Sequence, residues 1–171
     1  MKLKVKEIAL FSILGTVLFI SKVIMEALPN VHLLGTLIVA FTIVFRLKAL
    51  IPIYIYVFLN GFYAGFAPWW IPYLYVWAVL SFITLLIPRK IPPKYSWLLY
   101  ILVCGAHGFL FGTLYAPAQA LMYGLNFEGM IAWIIAGIPF DITHGLSNII
   151  CGVLIMPIVN ALKKVKCVYI D

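Results

Sequence analysis

Charge is scarce in this chain. Only 10% of its 171 residues are Asp, Glu, Lys or Arg, and five are acidic, where a soluble domain carries about 25% charged residues. Cysteine is scarce too. Cys104 and Cys151 lie inside apolar runs and Cys167 lies in a basic tail, with no CxxC or metal-ligand spacing. That excludes a disulfide scaffold or a zinc ribbon and leaves the thiols as small hydrophobes. There is no HExxH pair, GxSxG elbow or phosphate-cradling glycine loop, so neither an enzyme nor a self-contained ATPase is expected. No linker, low-complexity stretch or internal repeat of the inverted-repeat transporter kind is visible. No cofactor and no metal are expected.

What remains is apolar: 65% of residues are hydrophobic and 16% are aromatic, with a mean hydropathy of +1.14. A chain this short cannot hide so much apolar surface in one aqueous core. Its solvent must be largely lipid. Crossing the hydrocarbon takes about 20 apolar residues per helix, and six segments meet or approach this: Glu7–Leu28, His32–Phe45, Leu50–Phe66, Ile71–Ile87, Trp97–Tyr123 and Gly129–Leu162. The last two are long enough to tilt, kink or extend past the lipid. The basic start faintly resembles a signal peptide. No small-x-small cleavage site follows it, however, and Lys22 and Glu26 interrupt the region where one would lie, so it reads as a retained first helix.

The cations fix a topology. Lys2, Lys4 and Lys6 precede segment one, Arg46 and Lys48 separate two from three, Arg89, Lys90 and Lys94 separate four from five, and Lys163, Lys164 and Lys166 follow six. The other three loops hold no Lys or Arg. Eleven of the twelve cations therefore share one side, as the positive-inside rule requires for an even number of spans. The expected fold is all-α: a single integral membrane domain over residues 1–171, a bundle of six transmembrane helices with both termini cytoplasmic. The net charge of +7 follows from this pattern and implies no nucleic-acid partner, since no basic recognition face remains.

Few polar groups lie inside the spans. Lys22 sits ~10 Å from the end of segment one at 1.5 Å per residue, with Glu26 one turn further on the same face. Either the two neutralise each other or one meets a ligand. In segment six, Trp133, Gly137, Asp141, His144 and Asn148 share a face. Asp141 lies ~18 Å from the segment's start, so it needs a partner or a wet cavity. It either joins His144 and His107 in an internal network or contacts a ligand. In segment five, His107, Phe111, Tyr115 and Gln119 follow at i+4 steps that can face segment six. As a metal site, His107, Asp141 and His144 are too loosely spaced. Gly61-x-x-x-Gly65 and Gly108-x-x-x-Gly112 allow close helix approach, and ordinary bundle packing accounts for both. Phe66, Trp69, Trp70, Tyr73, Tyr75 and Trp77 crowd the side opposite the cations. Interface enrichment explains many of them, and the excess favours a stacking surface for a ring-shaped ligand.

Three stretches carry a resemblance: Ala9-Leu10-Phe11-Ser12-Ile13-Leu14-Gly15-Thr16, Trp69-Trp70-Ile71-Pro72-Tyr73, and Gly137-Ile138-Pro139-Phe140-Asp141-x-x-His144. With the size, six spans and basic loops, the chain resembles the S components, the substrate-binding subunits of energy-coupling factor (ECF) vitamin transporters. The resemblance implies capture of a vitamin or related micronutrient from outside a prokaryotic plasma membrane. It also implies docking onto an ECF transmembrane subunit and two cytoplasmic ATPases. The family's Ala-x-x-x-Ala docking motif is not kept, because Ala9 is followed by Ile13. Ser12 and Thr16 give the small-x-x-x-small pair, so Ala9, Ser12 and Thr16 are the expected docking positions. Expected ligand contacts are Lys22, Glu26, Trp70, Tyr73, Gln119, Trp133, Asp141 and His144. The competing readings are a self-sufficient carrier, proton-coupled through Asp141 and His144, and a membrane enzyme acting on lipid.

Overall fold

The computed structural model describes residues 3–88 and 91–170, and of Pro93 and Lys94 the backbone alone. Lys2, Arg89 and Lys90, three of the topology-setting cations, lie outside the described residues, as does the Lys94 side chain. All regular structure among them is helical: α1 Val5–Ile24, α2 Leu34–Phe45, α3 Leu50–Ala64, α4 Tyr73–Leu86, α5 Pro93–Phe109, α6 Phe111–Tyr123, α7 Phe127–Gly152 and α8 Ile155–Tyr169, with 3-10 turns at Arg46–Ala49 and Pro68–Trp70.

Among the described residues, five helical runs are long and apolar enough to cross a membrane, the second being Leu34–Ala64 with 31 residues. That run doubles back. Arg46 has φ +57°, a conformation few side chains adopt, and the helix cannot continue through it. The pairings on either side show the reversal. Glu7 meets Lys48, a Cβ on Gly15 would abut Ile55 and Pro52, and Phe19 packs on Tyr63, so α1 and α3 run parallel. Thr42 bonds Ser81 and Arg46 bonds the Leu85 carbonyl, so α2 runs parallel to α4. The Tyr54 hydroxyl and Trp70 indole bond the Leu74 and Val57 carbonyls, so α3 and α4 are antiparallel. With α5–α6 antiparallel to both α4 and α7, the chain makes six limbs that alternate in direction.

The core is built around α2, all but one of whose 12 residues are buried. Its neighbours are α4, α8, α5, α7 and α1. Every other limb turns large apolar side chains outward: Ile13, Phe62, Leu86, Leu102, Phe140 and Ile150 are all exposed. Water would penalise such a surface, whereas lipid does not. The molecule is thus a multi-pass helical bundle suited to a membrane.

Its two ends differ. At the basic end, the Glu7 carboxylate accepts the Lys4 amide at 3.0 Å and the Lys48 ammonium. The Arg46 guanidinium caps the last turn of α4 through Leu85 O at 3.2 Å, the favourable sign at a helix C-terminus. Lys4 Nζ reaches Ile170 O at 3.2 Å, so both described ends of the chain meet there. The aromatic end carries the α1–α2 loop, the Pro68–Trp70 turn and the α6–α7 connection at Gly124, whose φ of +64° needs glycine.

Two long segments are interrupted. Segment five breaks at Leu110 between α5 and α6. Segment six breaks at Val153–Leu154, which separates α7 from the lysine-rich α8. Of the two glycine pairs, Gly108 is an interhelical contact, since a Cβ there would stand 2.8 Å from Gly145 Cα. Gly61 packs against Phe66 and Trp70. Gly65, with φ +85° and open space around it, ends α3.

Candidate functional site

The break at Leu110 creates the site's chemistry. Starting a new helix inside an apolar limb leaves backbone N–H groups without intrahelical acceptors. Asp141 of α7 meets one of them: both carboxylate oxygens lie on Gly112 N, at 2.9 and 3.0 Å. The carboxylate is buried, 8% exposed. Its charge faces the positive end of α6, the arrangement that favours an anion. A Cβ at 112 would lie 2.6 Å from Asp141 Oδ2, so glycine there lets the carboxylate come down onto the amide. On α7, Pro139 removes one helix hydrogen bond just ahead of Asp141, and the Thr143 hydroxyl donates to Pro139 O at 3.1 Å.

Beside this junction lies a cleft of about 350 Å³, lined by Asn30, Phe111, Gly112, Tyr115, Trp133, Ala136, Gly137, Phe140 and Asp141. Asn30, with φ +60°, comes from the α1–α2 loop. Tyr115 and Trp133 face each other nearly flat, 5.9 Å apart at 7°, and Phe111 stacks on Tyr115 at 5.7 Å and 30°. The Tyr115 hydroxyl donates to the Trp69 carbonyl, which fixes the ring. Planar walls, a carboxylate and an amide suit a flat small molecule of modest size.

The expected contact residues do not all gather at the cleft. Trp133 and Asp141 line the cleft. Tyr73 and His144 stand one layer behind it: the Tyr73 ring packs edge-on to Phe111 and Tyr115, and His144 lies 4.7 Å from the Phe111 ring. Gln119 is buried on α6, one turn beyond Tyr115. Lys22, Glu26 and Trp70 lie elsewhere. Lys22 and Glu26 form an ion pair of 2.7 Å, with the ammonium 5.8 Å from the Tyr63 ring. The Trp70 indole donates to Val57 O at 2.8 Å and packs on Phe58 and Phe66.

Asn30 and Ala136 are cleft residues that the sequence did not single out, whereas Gly112 stood in a helix-packing pair and Phe140 in the stretch that carries the family resemblance. Phe111 and Tyr115 stood in the segment-five stripe and were legible as facing segment six. Asn30 had only its place after Pro29 as a signal. Among the described residues, no group of three or more His, Cys, Asp or Glu side chains is placed to hold a metal ion. No protein-family model matches the chain, and no curated protein or solved structure does either.

Proposed function

We propose that the chain is the membrane-embedded, substrate-capture subunit of an ATP-driven importer of the energy-coupling factor type, taking up a vitamin or related micronutrient. The observation that carries this reading is the cleft at the aromatic end, with flat rings on its walls and one carboxylate held at its edge. A ligand-sized recess opening at the end opposite the cations suits capture from outside. In this reading the basic end faces the cytoplasm of a prokaryotic cell. Ala9, Ser12 and Thr16 are exposed on α1, where small residues let a partner helix approach. The partners are a separate transmembrane subunit and two cytoplasmic ATPases.

Native mass spectrometry of the protein purified gently from its host tests this. The expected result is co-purification of a second membrane protein and two ATPases, with a small-molecule adduct on the present chain. A lone chain that drives pH-dependent uptake in liposomes would replace the proposal with the self-sufficient carrier.

Orientation has its own test. Cys167 is exposed near the basic end, whereas Cys104 is buried. A membrane-impermeant maleimide is expected to label Cys167 in inverted vesicles and leave it unlabelled in intact spheroplasts. The opposite pattern would reverse the topology.

A further inference from the structure

One side chain stands between the cleft and a cluster of buried ring nitrogens. Phe111 lines the cleft, and the same ring lies 4.7 Å from His144, 5.4 Å from Trp77 and 6.0 Å from His107, centroid to centroid. His144, Trp77 and His107 are 2%, 0% and 3% exposed. Each keeps one ring nitrogen with no hydrogen-bond partner among the described residues: His144 Nε2, Trp77 Nε1 and His107 Nδ1.

An unpaired buried polar group costs about 1–3 kcal/mol, and folded proteins satisfy nearly all such groups. Three around one phenyl ring, in the middle of a bundle wrapped in apolar surface, point to a polar occupant. Their chemistry restricts what it is. His107 Nε2 lies 3.0 Å from the Val76 carbonyl. A carbonyl only accepts, so Nε2 carries the hydrogen, and in the neutral ring Nδ1 is left as an acceptor. The indole N–H of Trp77 is a donor only. Neighbouring rings, 5.7 Å apart from centroid to centroid, thus offer one donor and one acceptor.

None of the three unpaired atoms carries a charge that would complement an ion, and the Asp141 carboxylate is turned onto the Gly112 amide at the positive end of α6, so a neutral donor–acceptor edge suits them best. Phe111 itself is the first residue of α6, directly after the Leu110 break, where the backbone is least constrained by helix bonds.

We propose that Phe111 is a shutter, and that the ligand is a flat, uncharged heterocycle. Its edge, carrying adjacent donor and acceptor groups, displaces the phenyl ring and pairs with Trp77, His107 and His144. This rests on the substrate-capture reading and names the chemical class of its substrate.

The test uses Phe111→Ala in the full chain, which vacates the ring's volume, with three probes of matched size: 2-pyridone (flat, neutral, adjacent donor and acceptor), benzene and N-methylpyridinium. Binding is read by thermal shift and titration in nanodiscs. 2-Pyridone is expected to bind about tenfold tighter than benzene, as one well-made buried hydrogen bond allows. Trp77→Phe in the same background is expected to erase that preference. Benzene binding as well as 2-pyridone, N-methylpyridinium binding best, or no probe binding would each overturn the proposal. If Phe111→Ala does not fold, Phe111→Leu takes its place with the same criteria. None of these results bears on co-purification with the ATPases, so the capture reading stands or falls separately.

Discussion

Gly108→Leu is expected to prevent the bundle from assembling. At this position α5 and α7 touch backbone to backbone: a Cβ on Gly108 would lie 2.8 Å from Gly145 Cα and 2.9 Å from Gly145 N. The obstacle is main chain, so no rotamer change relieves it, and an isobutyl group would have to wedge the two helices apart. Overpacking a core typically costs about 1–3 kcal/mol. Separating helices that rely on close van der Waals contact in lipid places this change at or above the upper end. The expected reading is loss of the monodisperse species on size exclusion in mild detergent. Gly137→Ala is the control, because nothing lies within 4 Å of a Cβ there and alanine in a helix interior gains up to about 1 kcal/mol over glycine. A well-folded Gly108→Leu protein would show that α5 and α7 do not meet as described.

Asp141→Ala is the second large effect, and it acts on both folding and binding. Removing the carboxylate strands the Gly112 amide and takes a counter-charge from the start of α6. A buried donor left without an acceptor costs roughly 1–3 kcal/mol, so the melting temperature is expected to fall. Asp141→Asn keeps one carbonyl acceptor and nearly the same shape, and is expected to recover part of the loss. Because Asp141 also lines the cleft, retention of the co-purified ligand is expected to weaken in both variants. If Asp141→Ala melts like the parent, the junction between α6 and α7 is held by something other than this contact. If Asp141→Asn restores stability but not ligand retention, the charge itself is read by the ligand.

The sequence alone determined the class of this molecule. Its apolar runs and the spacing of its cations are one-dimensional signals, because a helix satisfies its own backbone and spans lipid by length. The α2–α3 reversal is a case in point. Leu34–Ala64 is helical almost throughout, yet Arg46 and Lys48 placed the turn correctly, since two cations are expensive at mid-membrane depth. The i+4 stripes also placed Phe111 against His144 and Tyr115 against Trp133, because helical periodicity carries over directly to facing surfaces.

Tertiary structure alone decided how the buried polar groups are used. Lys22 and Glu26 close on each other across the C-terminal end of α1 and stand apart from the cleft, although their type and depth equally suited a ligand. Asp141 is engaged by a backbone amide that the break at Leu110 sets free. An amide donor has no side-chain signature, so no reading of residue types could have paired position 141 with position 112. For the same reason the three unpartnered nitrogens around Phe111 became visible only once six limbs were packed together. Periodicity says which face a residue occupies, but which neighbour it meets, and which polar atoms are left without one, depends on how the helices stack.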